Sequence, residues 1–242
     1  MVDFRTVNEG RRYLYDLLSR LYEREVDEGL LDELTSAAES GDLARRFEQL
    51  ANLDERVGRG IDLLIGYLRS AAGRPKKEVL LELAAEYASL FLSVKGKPPH
   101  PSESVYRSAS HLMYQEQRDE VLELYREMGV DKVKEFREPE DHIAVELSFL
   151  SYLIGRSLEE WERGNLGEAR RFLEVQRKFL EEHLLKWVHQ FVEDIISSAE
   201  VDFYKGVAYL TDGFLEMDWS SMDQLVSLLA SDAAGSGRSG AR

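Results

Sequence analysis

Apolar residues recur at three- and four-residue spacing through nearly all of this chain, a period that marks one buried face of a helix. Tyr13, Leu14, Leu17, Leu18 and Leu21 set the pattern, and Val57, Ile61, Leu64, Ile65 and Leu68 repeat it. Further stripes run through Leu80, Leu83, Tyr87, Leu90 and Phe91, and through Leu184, Trp187, Val188, Phe191 and Ile195. Only 5 of the 242 residues are proline. Each interior proline would cost a helix about 3 kcal/mol, so their scarcity favours long helices. The spacing predicts an all-α fold: a single globular multi-helix domain of about ten helices over residues 1–230. Residues 231–242, rich in Gly, Ser and Ala, are expected to form a flexible tail.

Composition narrows the chemistry. The chain has no cysteine, which excludes disulfides, thiolate metal sites and a thiol nucleophile. A formal net charge of −15 argues against nucleic acid as a partner and is compatible with a basic one. The first residues lack the basic-then-apolar pattern of an export signal, and no apolar run approaches the roughly 18–20 residues that span a bilayer. A soluble cytoplasmic protein is expected. Residues 235–240 match G-x-G-x-x-G, but no strand is expected before them and no helix after them, and there is no phosphate-binding lysine loop. None of the 5 histidines stands three residues after a glutamate or in H-E-x-x-H, so no metal site and no cofactor are expected.

One stretch, residues 94–104, holds three of the prolines and breaks the helical pattern. Within it Pro98-Pro99-His100-Pro101 reads either as a rigid connector or as a peptide-contact loop. The pattern then predicts a helix over 106–128, closed by Gly129. Glu138-Pro139-Glu140-Asp141-His142 predicts a helix start, with Pro139 in the first position and acids in the first turn. The helix that follows is apolar nearly all round, as at the centre of a bundle. A bend is expected at Glu182-His183. Phe91, Tyr106, Trp187 and Tyr204 fall on helical stripes and read as core.

Asp141, His142 and Glu146 form the remaining constellation. His142 and Glu146 are four apart and share a helix face. Glu146 lies in an apolar stretch, where a lone carboxylate is costly to bury, so it needs a partner or a ligand. His142 would serve, and that pairing would raise the histidine pKa. On one reading the acids complement the helix N-terminus while His142 and Glu146 satisfy each other. On the other, these groups face a pocket and grip a partner. Residues 116–146 carry eleven acids against five bases, which suits either a solvated face or attraction of an arginine-rich peptide.

Glu86-Tyr87-Ala88-Ser89-Leu90-Phe91, followed by the Pro-rich loop and Ser102-Glu103-Ser104-Val105-Tyr106, resembles the first signature of the TorD/DmsD family of redox-enzyme maturation chaperones. Glu138-Pro139-Glu140-Asp141-His142 with Glu146-Leu147 resembles that family's E-P-x-D-H-x-x-x-E-L signature, and Phe179-Leu180-Glu181-Glu182-His183-Leu184, Trp187 and Phe203-Tyr204 continue the match. The resemblance implies an all-helical, non-enzymatic chaperone. It would bind the twin-arginine signal peptide and the apo form of a molybdopterin-dependent oxidoreductase until cofactor insertion, as a monomer or a domain-swapped dimer hinged at the Pro-rich loop. Carried over by position, it implies peptide contacts from Pro101, Ser102, Ser104, Val105, Tyr106, Asp141 and His142, supported by Glu138, Pro139 and Glu146. Asp141 would pair a leader arginine. Two other readings stay open: a nitrate-reductase-type assembly chaperone that grips the catalytic subunit without leader recognition, and a helical nucleotide hydrolase built on Asp141, His142 and Glu146.

Overall fold

The structure, a computed structural model, describes residues 3–93, 98–132 and 136–236, with side chains for all of these except Gln49 and residues 231–236. Twelve α-helices are described: α1 (Phe4–Glu23), α2 (Glu28–Glu39), α3 (Asp42–Ala51), α4 (Glu55–Ala71), α5 (Lys76–Tyr87), α6 (Glu103–Arg107), α7 (Glu116–Glu127), α8 (Ile143–Glu162), α9 (Leu166–Glu182), α10 (Val188–Ser198), α11 (Asp202–Ser220) and α12 (Met222–Ser236). A π-helical turn, Ala88–Leu92, extends α5, and a 3₁₀ turn, Leu184–Lys186, joins α9 to α10 at the expected bend. Of the segment expected as a tail, residues 231–236 are the end of α12 and 237–242 lie outside the described residues. So do residues 94–97 of the Pro-rich connection.

The periodic stripes become the interior. α1 lies along α8, α8 along α9, and α4 along α11, and their apolar faces form one continuous core. Aspartates start several helices. Asp3 accepts the Thr6 N–H at 2.7 Å, Asp27 the Leu30 N–H at 2.9 Å, and Asp54 the Arg56 N–H at 2.8 Å, each filling a donor that a first helical turn leaves free. The α4–α11 contact depends on glycine. A Cβ on Gly60 would stand 2.6 Å from the Leu210 nitrogen and 2.7 Å from the Gly206 carbonyl oxygen. Side chains at either position would hold the helices apart.

Two expected elements differ. The helix expected over 106–128 is two helices: α6 stops at Arg107 and α7 begins at Glu116. Between them His111 and Tyr114 adopt positive φ, 52° and 60°. Ser108 and Ser110 meet through their hydroxyls at 3.2 Å, and serines that bond locally compete with helix continuation. The second difference is at α8, which starts at Ile143 rather than at Pro139. The backbone of residues 141–143 is taken up by the Pro-rich connection. Ile143 N–H donates to Pro101 O at 2.8 Å, Glu103 N–H donates to Asp141 O at 3.0 Å, and Ser102 and His142 form an antiparallel bridge. That long-range pairing outweighs the local preference of proline for a first helical turn.

Candidate functional site

The pairing of residues 101–103 with 141–143 brings both motif segments to one place. Asp141 Oδ2 accepts the Ser104 N–H at 2.8 Å and also the Ser104 hydroxyl. Ser102, Ser104 and Asp141 are fully buried, His142 nearly so, and Pro101 and Pro139 are buried as well. Val105 and Tyr106 are partly exposed, and Glu138 is exposed. Tyr106 stacks on Trp187 with 5.5 Å between rings, donates its hydroxyl to Asp194 at 2.9 Å and accepts the His100 N–H at 3.2 Å. The sequence-predicted residues therefore converge. Most of them build the junction from inside, and Asp141 does not reach a surface where a peptide arginine would meet it.

His142 and Glu146 do not pair, contrary to expectation. His142 is the N-cap of α8, and its Nδ1 accepts the Ala144 N–H at 3.1 Å. The ring meets Phe136 edge-on at 5.1 Å. Burial pushes this imidazole down to about 3, the opposite of the expected rise, because no carboxylate compensates for the lost solvent.

Glu146 instead faces Glu103 of α6. Its carboxyl accepts the Trp187 Nε1–H at 3.3 Å through Oε2, while Oε1 is buried without a hydrogen-bond partner. Burial, then the Glu103 and Asp141 charges, raise it well above the usual carboxylate range. Burial also raises Asp141, partly offset by the two Ser104 bonds. Glu103 is fully buried. Its carboxylate meets His183 Nδ1 at 3.1 Å and the Arg107 guanidinium one helical turn on. The three acids Glu103, Asp141 and Glu146 thus share one interior site with His183 and Trp187. Sequence reasoning did not single out Glu103, His183 or Trp187 as site residues. The available signal was that all three lie inside the quoted motifs.

The nucleotide-hydrolase arrangement is not formed. Asp141 accepts from Ser104, His142 caps α8 and Glu146 accepts from Trp187, so each of the three is already engaged within the fold. Among the described residues no group of His, Asp and Glu is arranged to hold a metal ion.

Two clefts open beside the junction. One, of about 290 Å³, lies between α1, α7 and α8, with Val130, Phe136, Val145, Phe149 and Tyr152 as its apolar wall and Glu23 and Asp131 contributing carboxylates. Val145, Phe149 and Tyr152 follow at helical spacing. The all-round apolar α8 therefore turns one face to this opening instead of being enclosed on every side. Lys132 and Arg118 fasten the adjoining turn through Glu140, at 3.6 and 2.6 Å. Against its burial, the Arg118 bond holds the Glu140 carboxyl below its usual range. The second cleft, of about 460 Å³, has a rim of mixed charge from Arg107, Glu120, Glu123, Lys178 and Lys186 above His183.

No helix among the described residues is long and apolar enough to cross a membrane. Residues 50–193 match the family model described as nitrate reductase delta subunit. The chaperone protein TorD of Vibrio parahaemolyticus is 31% identical over 90% of this chain and 97% of its own length. TorD of Shewanella pealeana is 27% identical over 90% of this chain and 91% of its own. A solved structure of a protein from Archaeoglobus fulgidus, described as a redox enzyme maturation protein, has 22% identity and a TM-score of 0.47, covering 85% of this chain and 93% of that one. With a family model matched over more than half its length and a TorD relative at this identity across nearly all of it, the chain belongs to the nitrate reductase delta subunit family, alongside the TorD chaperones.

Proposed function

We propose that this chain is a cytoplasmic, non-catalytic chaperone that binds the twin-arginine leader and the apo form of a molybdopterin-dependent oxidoreductase until its cofactor is inserted. The observation that supports this reading is the cleft between α1, α7 and α8. It offers an apolar wall of Val145, Phe149 and Tyr152 beside the carboxylates of Glu23 and Asp131. A leader presents two arginines followed by an apolar, helix-prone segment, and such a segment docks an apolar face in a groove while guanidinium groups seek carboxylates. The role first expected of Asp141 passes to these two acids, because Asp141 is enclosed. Val105 and Tyr106, the partly exposed members of the predicted set, would contribute at the edge of the junction. Pro101, Ser102, Ser104, Asp141 and His142 would fix its shape from within.

Calorimetry tests the reading with a synthetic peptide carrying two consecutive arginines and an apolar segment. Binding is expected, weakened by Arg→Ala in the peptide and by Val145→Glu in the chaperone. If the isolated leader gives no heat while the whole catalytic subunit binds, the protein grips its client as a nitrate-reductase-type assembly chaperone, the function that the matched family model's description suggests.

A further inference from the structure

The loop between α6 and α7 carries two features that a plain connection between helices does not need. Among the described residues, its His111 and Tyr114 are the only ones other than glycine with positive φ, a conformation that residues with a Cβ seldom adopt. The same loop leaves Leu112 62% and Tyr114 58% exposed. The other large apolar residues so exposed, Leu53, Leu81 and Leu92, stand singly along the chain, and single exposures need no explanation. The loop is also fixed. His111 Nδ1 bonds the Val105 carbonyl at 2.9 Å, and the His111 N–H donates to Ser108 O at 3.2 Å. Gln115 donates its N–H to the Ser104 hydroxyl at 3.3 Å and its side-chain amide to Met113 O at 2.8 Å. Ser104 is itself bound to the buried Asp141, so the strained turn is held from the junction. Such backbone persists where its surroundings over-determine it, and it concentrates at sites that present particular side chains.

The margin of this loop is acidic. Glu116 and Glu120, on the first two turns of α7, are exposed and make no ion pair among the described residues. The nearest arginines in sequence are engaged, Arg107 with Glu103 and Arg118 with Glu140 and Asp119, and the Arg118 guanidinium also lies 6.0 Å from the Tyr114 ring. We propose that Leu112 and Tyr114 form a docking knob for the mature part of the client, its apo catalytic subunit, at an apolar hollow ringed by lysine or arginine. Large side chains fixed before binding lose little freedom when they are covered, and acids at the rim select a basic surround. The knob is separate from the leader cleft, which no residue of 108–115 lines. The identity of this partner rests on the function proposed above.

The test uses the full chain and, as probes, the apo catalytic subunits of the source organism's molybdopterin-dependent oxidoreductases, each made without its leader. One of them should bind the native chain. Leu112→Ser with Tyr114→Asn, asparagine being tolerant of left-handed backbone, should weaken that binding by about 100-fold while thermal unfolding and leader calorimetry stay unchanged. Glu116→Gln with Glu120→Gln should weaken it modestly and flatten its dependence on salt. Should the double loop variant fail to fold, Leu112→Ser alone decides, with about a tenfold loss expected. Equal binding of the subunit by native and variant chains overturns the knob and leaves the chaperone reading standing. Loss of leader binding in the double variant also overturns it, since the two surfaces would then be one. So does a concentration-dependent dimer of the native chain that the double variant abolishes, because the loop would then belong to a second copy. Absence of leader binding, with the subunit pattern intact, rejects the leader reading and leaves the knob standing. If no subunit binds the native chain, the chaperone reading falls and the knob with it.

Discussion

Ser104 gives both its backbone N–H and its hydroxyl to the same oxygen of Asp141, a residue 37 positions away that is wholly enclosed. This contact ties the Pro-rich connection to the start of α8. Asp141→Ala would leave two buried donors without an acceptor, at a cost of about 3 kcal/mol. Urea denaturation without any peptide should show that loss, and Ser104→Ala should show a smaller one. Reduced leader binding by Asp141→Ala would then report a loosened junction, not a lost ion pair.

The cap on α8 has its own pH signature. His142 accepts the Ala144 N–H through Nδ1 and must be neutral to do so. Burial lowers its folded pKa to about 3 from the ordinary 6.5. Between those values the unfolded chain binds more protons than the folded one, so stability falls as the pH drops below 6.5. The slope from this group approaches about 1.4 kcal/mol per pH unit. His142→Asn keeps a capping acceptor and should remove this component, measured as the shift of the urea midpoint across a pH series.

Gly60 and Gly66 lie on the same helix and should respond in opposite directions to alanine. At Gly60 the added Cβ would stand 2.6 Å from backbone on α11, whereas at Gly66 nothing lies within 4 Å. Gly60→Ala should destabilise by about 1–3 kcal/mol through overpacking. Gly66→Ala should stabilise by about 0.5–1 kcal/mol through backbone entropy and helix propensity. Thermal unfolding of the two variants side by side checks the close approach of α4 and α11.

The helical stripes were legible because burial of one face is written as period in a single segment. Leu14, Leu18 and Leu64 are core for that reason. What was not legible required two distant segments at once. Pro139 carries a sound first-turn signal, yet α8 starts four residues later because Pro101 and Glu103 bond the backbone there. Glu146 announced a need for a partner. His142, the nearest neighbour by spacing, was the wrong one, since the donor that the Glu146 carboxylate meets is the Trp187 indole, 41 residues on. Glu86, part of the first quoted motif, accepts the N–H groups of Glu200 and Val201 at 2.5 and 3.0 Å and so holds the turn before α11, a role no local pattern contains. The apolar cleft was half legible: Val145, Phe149 and Tyr152 share a face, but only the fold shows which face of α8 is left open.

That open face gives the most direct test of the proposed peptide site. Val145 is partly exposed in the cleft wall, so a glutamate there can stay hydrated in the free protein and should change folding stability little. In a complex the same position would be covered by the apolar part of a leader. Losing the burial of one valine costs about 1.5–3 kcal/mol, which is about a 10- to 100-fold weaker association. Glu23→Gln with Asp131→Asn should act differently. These carboxylates sit beside solvent, so removing them should weaken binding modestly and flatten its dependence on salt, because screened charges are what the salt was modulating. Calorimetry at low and moderate ionic strength separates the two effects. If Val145→Glu binds the leader as well as the native chain does, the cleft between α1, α7 and α8 is not where the apolar segment lies.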